Sequence, residues 1–526
     1  MTADVTIVRS DETASNASRT SEVRQLPTIP GKSDEKPSQY HGRFKVWPGW
    51  VLLGLAAAIG IALITVFAIE ARNAMMNRRG AYNDAEETRF AIGGDKNDTD
   101  STSSSRNPPK YPPRKCILPN YVSKNGQIYA QGRKGESVSI GIKGINWSGM
   151  ETSLAIPFGL WANDKNGTTI NEIVRFLSNN RFNSVRLPLC VAHILNNQPP
   201  FKNVVNTAQN KALNVTNYLS ALSSVILAFG SRNISILLDI HTLTPTESGG
   251  LPWKSPAEAD AFVDAVDILT TNFCSDKYWN IVGLDLKNEP YLGTWGDGTL
   301  TDFRLMAETI GNRMLAGCPQ WLAFVEGIAG GTSIVDGTTR FSFSSWWGGG
   351  LVDAGGAPVV LKTADKVVYS PHYYTPAVYP QPYFLKSGVL SGDIIVNFQE
   401  LNDIDLTRRV QLTTDAMFGY LRHSQDAALV MGEFGGLYTQ DLHPMKTTQR
   451  VTQIVIEILK QPGYSGGYIW SLNPESAYQF NPSSVRVNAQ EGLLSSTWLD
   501  VNEPFLDAIK AMDTLPNLQS FPCFTA

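Results

Sequence analysis

The sequence predicts an α/β fold: a (β/α)8 TIM barrel preceded by a single transmembrane helix and a disordered stem. Two rhythms and one absence lead there. Short apolar or β-branched runs recur after residue 116, at 138–147, 183–189, 235–241, 281–288, 321–327, 366–374, 427–434 and 466–473. Helical patterns lie between them, at 168–179, 214–229, 303–315, 406–421 and 449–459, and a capping box, Ser255-Pro256-Ala257-Glu258, opens another. Eight strand signals alternating with helices indicate a parallel barrel. The rival, an open doubly wound sheet, lacks its mark. Gly348-Gly349-Gly350 and Gly355-Gly356 are not phosphate turns following a strand.

Ahead of the barrel the chain divides by composition. Residues 1–46 are polar and read as a disordered cytosolic tail. Trp47-Pro48-Gly49-Trp50 introduces the uncharged stretch 51–69, long enough to cross a bilayer as a helix with Trp47 and Trp50 at the interface. Lys and Arg flank 47–69 evenly, so charge gives no orientation. The N-x-S/T triplets headed by Asn97, Asn146, Asn166, Asn214 and Asn233 follow the span, against Asn16 before it. That favours a single-pass type II protein of the plasma membrane with its large domain outside. Asn146 ends a barrel strand and is expected to carry no glycan. Residues 70–115, including Asp98-Thr99-Asp100-Ser101 and Pro108-Pro109, read as a polar spacer. Residues 116–526 form the barrel domain.

Composition narrows the partners. Charged residues are 17% and hydrophobic ones 42% of the chain, enough for a large core. A net charge of -4 leaves no basic footprint for nucleic acid. The 12 Trp and 18 Tyr suit flat, hydroxyl-rich ligands, although most such rings pack in cores. No CxxC pair exists among Cys116, Cys190, Cys274, Cys318 and Cys523, so metal and redox motifs have no support, and no cofactor is expected. Cys116 with Cys523 and Cys274 with Cys318 are conceivable bridges, which leaves Cys190 odd.

The fourth run, Ile281-Val282-Gly283-Leu284-Asp285-Leu286, ends in Lys287-Asn288-Glu289-Pro290. Pro290 cannot join a ladder and biases its predecessor toward extended geometry, so Glu289 is displayed at a strand's C-terminal tip, where barrels do chemistry. The same tripeptide at Asn502-Glu503-Pro504 precedes a helical pattern, and there Asn502 reads as an N-cap. The other strand ends supply Asn146 and Trp147, Arg186, Asp239 and His241, Glu326, His372 and Tyr374, Glu433, and Trp470. Glu433 ends the seventh strand, roughly opposite the fourth. Two facing carboxylates, one protonated and one ionised, are what glycosidic bond cleavage requires. Glu326 reads as a supporting carboxylate. Gly463-Tyr464-Ser465-Gly466-Gly467 fits the hydrolase elbow by letter but has helix and strand in the wrong order.

Together Gly144-Ile145-Asn146-Trp147, Arg186-Leu187-Pro188, Asp239-Ile240-His241, Asn288-Glu289-Pro290, His372-Tyr373-Tyr374, Gly432-Glu433-Phe434-Gly435 and Trp470-Ser471-Leu472-Asn473 resemble glycoside hydrolase family five, the cellulase family of the four/seven barrel clan. The resemblance covers about residues 141–499. It implies a retaining mechanism with Glu289 as general acid/base and Glu433 as nucleophile. It also implies Asn288 on the sugar 2-hydroxyl, Arg186 and Tyr374 beside Glu433, His241 and His372 lining the cleavage site, and Trp470 as a sugar platform. Trp147 joins them as a substrate contact, and Trp253, Trp346 and Trp347 are further platform candidates. The expected substrate is a β-glucan, foremost a β-1,4-glucan cut internally. The alternatives are the same chemistry on β-1,3-glucan, mannan or a glycolipid, or an inactive polysaccharide-binding receptor.

Overall fold

Eight parallel strands close on themselves: β1 (Ile142–Asn146), β2 (Ser184–Cys190), β3 (Ser235–Thr242), β4 (Ile281–Asp285), β5 (Leu322–Val325), β6 (Val367–Tyr369 and His372–Tyr374), β7 (Ala428–Gly435) and β8 (Tyr464–Trp470). Each pairs with the next, and β8 pairs with β1 to complete the barrel. The computed structural model describes residues 45–93, 107–163 and 165–526. The expected tail, the acidic Ser/Thr run of the stem and the triplets at Asn16 and Asn97 lie outside the described residues.

Period-two alternation decides which way each side chain faces. On one set of positions Ile145, Val185, Leu187, Ile236, Leu238 and Ile469 are fully buried. On the other, Ser184, Ser235 and Tyr468 hydrogen-bond to one another inside the barrel at 2.8 Å. Gly144 faces that ring, and a Cβ there would sit 2.2 Å from Tyr468. The next interior layer toward the C-terminal mouth is polar: Asn146, Arg186, Asp239 and Asp285. A barrel stabilised only by packing would place Val, Ile and Leu there.

Helices Ile170–Asn179, Tyr218–Gly230, Pro256–Phe273, Phe303–Gly317, Asp403–Thr414 and Thr447–Leu459 alternate with the strands. Their apolar stripes pack inward. Ile173 and Leu177 are fully buried, each contributing about 1.5–3 kcal/mol relative to exposure. Between β5 and β6 a hairpin, Gly331–Asp336 with Thr339–Ser344, stands where the alternation would place a helix. β6 is interrupted at Ser370-Pro371 because proline has no N–H for the ladder. Both halves still pair with β7, at Val368↔Ala428 and His372↔Glu433.

A three-stranded antiparallel sheet, Asn120–Lys124, Gln127–Gln131 and Ser137–Ile140, closes the opposite end. Its backbone donates to Gln320, Asp365 and Asp426, which immediately precede β5, β6 and β7. The bridges Cys116–Cys523 and Cys274–Cys318 are formed, and Cys190 is free and buried. Helix Glu503–Ile509 starts at the second Asn-Glu-Pro, but Asn502 does not cap it. Its side chain instead accepts from Thr439 and donates to Glu491.

The chain divides into two units, Met1–Arg78 and Arg79–Ala526. Among the described residues, Trp47–Arg78 is long and apolar enough to cross a membrane. That helix runs on to Arg89, past the expected start of the stem. The stem's apolar Phe90, Ala91 and Ile92 are buried. Thr168 donates to the Phe90 carbonyl at 2.7 Å, and the Gly93 N–H donates to Leu499 at 2.7 Å. Residues 90–92, within the stretch expected to be a polar spacer, thus bury an apolar face that its overall composition did not indicate.

Candidate active site

The strand ends converge on a cleft of about 810 Å³ whose lining includes His241, Asn288, Glu289, Tyr374, Glu433 and Trp470. Arg186 lies below its floor, fully buried, with six acceptors around one guanidinium. Nε donates to Asp285 at 3.0 Å, and Nη1 to Asn146 at 3.0 Å and Glu433 at 2.6 Å. Nη2 donates to Asn288 and Glu326 at 3.0 Å and lies 3.1 Å from Asp239. Only a planar fork of five donors can hold so many acceptors at once.

Glu433 accepts from Arg186 on one oxygen and from the Tyr374 hydroxyl on the other. Burial pushes its carboxyl upward, but His372, Arg186 and His241 outweigh burial and hold it below the usual carboxylate range. Glu289 is shifted the other way, by burial first, and the Glu433 charge adds to the rise. One oxygen of each carboxylate and a His372 ring nitrogen lie within 4.8 Å of one another. The pair is thus close together and electrically unlike, with one member favoured ionised and the other protonated.

His372 sits between them, fully buried, with Nδ1 3.2 Å from Glu289 Oε1 and 3.6 Å from Glu433 Oε2. Burial alone would lower its pKa, yet Glu326, Glu433 and Glu289 raise it well above the ordinary value. His241 is fixed through Nδ1 by Asp239 at 2.7 Å and stacks on Trp470 at 6.1 Å and 14°. Its Nε2 lies 3.4 Å from Asn288 Nδ2. Glu289 does not take the extended backbone expected before Pro290. Its φ is 45°, and β4 has already ended at Asp285.

Nine residues were named from the sequence as site residues, and the structure separates them by position. Arg186 and His372 lie buried beneath the cleft surface. Trp147 does not line this cleft: it is fully buried, donates Nε1 to the Phe158 carbonyl at 3.1 Å and packs edge-on against Phe229. Its strand neighbour Asn146 points inward, so Trp147 must point outward into the helix layer. Trp253 packs on Phe262, whereas Trp346 and Trp347 do line the cleft. Trp347 is 47% exposed and stacks on Tyr291 at 3.9 Å.

The far wall was not foreseen. Tyr379, Tyr478, Phe480, Asp393 and Arg486 line it, from the hairpins Leu385–Ser391/Ile394–Glu400 and Ala477–Phe480/Arg486–Gln490 and the loop before them. An Asp393–Arg486 ion pair joins the hairpin tips. Behind them Asp441, His443 and Ser483 form a hydrogen-bonded chain with 2.8 Å links. All three are buried, and the Ser483 N–H also donates to His443 Nε2 at 3.0 Å, so this chain fastens the wall and offers no nucleophile. No local pattern marks these residues, since hairpin placement around the mouth is a tertiary matter.

Comparison with known proteins agrees with this geometry. Residues 135–476 match the family model described as Cellulase (glycosyl hydrolase family 5). The chain is 28% identical over 378 residues to the major extracellular endoglucanase of Xanthomonas campestris, covering 70% of this chain and 67% of that protein. It is 28% identical over 399 residues to an endoglucanase of Paenibacillus polymyxa, covering 74% and 87%. Among solved structures, a cellotetraose complex of an endocellulase variant from Pyrococcus horikoshii superimposes with a TM-score of 0.61 at 27% identity, over 76% of this chain and 100% of that one. The matched span begins at the barrel's floor and runs through β8, taking in both facing carboxylates, and the chain belongs to glycosyl hydrolase family 5, the cellulase family.

Proposed function

We propose that this family 5 glycoside hydrolase cuts internal β-1,4 linkages of a glucan by double displacement with retention. Ionised Glu433 attacks the anomeric carbon while Glu289 gives its proton to the departing glycosidic oxygen. Glu289, now ionised, takes a proton from water, which displaces Glu433 and restores both groups. The observation that carries this is the close spacing of two oppositely biased carboxylates. It supports the retaining geometry of about 5–5.5 Å over the wider inverting one. Asn288, His241 and Trp470 are placed to hold the sugar beside them. The relatives' names, endoglucanase and endocellulase, support the linkage and the internal cut. Hydrolysis of a panel of β-1,4-glucan, β-1,3-glucan and mannan, with the anomer followed by NMR, tests it. Release of short oligosaccharides from the β-1,4-glucan as the β-anomer is expected, and first release of the α-anomer refutes retention.

A bell-shaped pH dependence of kcat/KM follows. Activity needs Glu433 ionised and Glu289 protonated. With Glu433 held low and Glu289 raised, the rate falls on the acid side as Glu433 takes a proton and on the alkaline side as Glu289 loses one. In the Glu289→Ala variant the alkaline limb is expected to disappear; a limb unchanged from the parent assigns it to another group.

We further propose that the helix at Trp47–Arg78 anchors the enzyme in the plasma membrane with the barrel outside. Two disulfides suit an oxidising compartment. Asn166, Asn214 and Asn233 reach the surface, whereas Asn146 is buried under Arg186. Protease added to intact cells is expected to remove the barrel, and a barrel that survives digestion places it inside.

A further inference from the structure

We propose that Glu326 is a positioning residue that holds the acid/base Glu289 in its working orientation; this rests on the role given to Glu289 above. Glu289 occupies the left-handed region, which costs a residue with a side chain about 1–3 kcal/mol unless its surroundings fix it. Three hydrogen bonds do so. Its carbonyl accepts from the Gly250 N–H at 2.8 Å and the Tyr291 N–H at 2.7 Å. Its own N–H donates to Glu326 Oε2 at 2.7 Å, so the amide side of the residue is held by a side chain.

The same carboxylate reaches Glu289 by a second route. Glu326 Oε1 lies 3.1 Å from His372 Nε2, and His372 Nδ1 lies 3.2 Å from Glu289 Oε1. Glu326 thus bears on both the backbone and the acidic head of Glu289. Oε1 also accepts from Arg186 at 3.0 Å, which ties Glu326 to the floor that orients Glu433. Asp285 and Lys287 from β4 and the residues after it complete its charged surroundings.

Glu326 is fully buried, and the loop above it is fitted to it. Gly348, at φ +76°, leaves space for the carboxylate; a Cβ there would lie 2.5 Å from Glu326 Oε2 and 2.9 Å from His372. Both oxygens face donors, which suits an acceptor-only carboxylate. A glutamine has one acceptor face and one donor face, so it cannot serve both the Glu289 N–H and the Arg186 fork.

The test uses the full-length protein and aryl β-cellobiosides of graded leaving-group acidity. A misplaced general acid matters when the leaving oxygen needs its proton and hardly at all when it does not. Glu326→Gln is expected to lose about 100-fold in kcat/KM on the phenyl glycoside and under about threefold on the dinitrophenyl glycoside. Glu326→Asp keeps the charge opposite Arg186 but withdraws the oxygen from the Glu289 N–H, and the same split is expected if the Gln variant does not fold. A loss equal across leaving groups, or none, in the folded variant overturns the proposal. A parent enzyme inactive on every aryl cellobioside overturns the β-1,4-glucanase reading on which this inference rests, and this inference with it.

Discussion

Replacing Glu433 by Gln is expected to lower kcat by about four to six orders of magnitude, the scale seen when a covalent nucleophile is removed, with the fold retained. Size and shape are preserved, so the cavity is not altered. The Gln oxygen can still accept from Arg186 Nη1, and its amide can donate to the Tyr374 hydroxyl, which turns to accept. What is lost is the anionic oxygen that attacks carbon. The loss also removes one of the charges that raise Glu289, so residual activity should fall off at lower pH than in the parent. Glu433→Ala opens space for a small anion on the vacated face. With azide and a dinitrophenyl cellobioside, azide bonds to the anomeric carbon, the phenolate leaves, and the product is the α-glycosyl azide. Glu289→Ala with azide should give the β-azide instead, because there the enzyme still makes the first displacement. A Gln variant turning over at the parent rate, or β-azide from Glu433→Ala, would remove Glu433 from its role.

These paired outcomes depend on strand order, and strand order was legible before any coordinates. The runs ending at Arg186, His241, Glu433 and Trp470 are apolar, of strand length and separated by helices, so each terminal polar residue had to share one rim. The capped helix at Ser255 was legible for local reasons, whereas the bridges Cys116–Cys523 and Cys274–Cys318 were only conceivable pairings, because nothing local joins cysteines 407 residues apart. Ser255 accepts the Glu258 N–H as expected, although Glu258 reaches back to the Lys254 N–H.

Other features were not legible, for identifiable causes. The antiparallel sheet closing the opposite end does carry a local signal: Asn125-Gly126, both at positive φ, is a hairpin turn between two alternating strands. Trp147 was misplaced because adjacent strand residues face opposite sides, so Asn146 and Trp147 could not both enter the mouth. The left-handed Glu289 contradicts the preference imposed by Pro290, and only the tertiary bonds from Glu326, Gly250 and Tyr291 explain it. Local preference was overridden at the residue assigned the acid/base role, where strain of this kind tends to be kept.

Arg186 carries the largest expected effect on folding. It is the one guanidinium among Asp239, Asp285, Glu326 and Glu433, and it is wholly removed from water. Removing one partner of a buried ionic network leaves the others uncompensated and costs about 3–5 kcal/mol. Arg186→Met is therefore expected to unfold at markedly lower denaturant, with a loss of at least that size, and to be inactive. Arg186→Lys separates charge from geometry. Lysine restores a cation but supplies three donors from one point, where the native residue uses a fork to reach six acceptors on four strands and the segments after β4 and β5. It should recover much of the stability lost by Met, yet remain about 100-fold or more below the parent in kcat, because Glu433 and Asn288 are no longer aimed by the same rigid plane. Denaturation curves and kcat measured on the two variants decide the matter. If Lys restores both stability and turnover, the site needs only a charge there; if Met is as stable as the parent, the carboxylates around Arg186 are neutral in the folded protein.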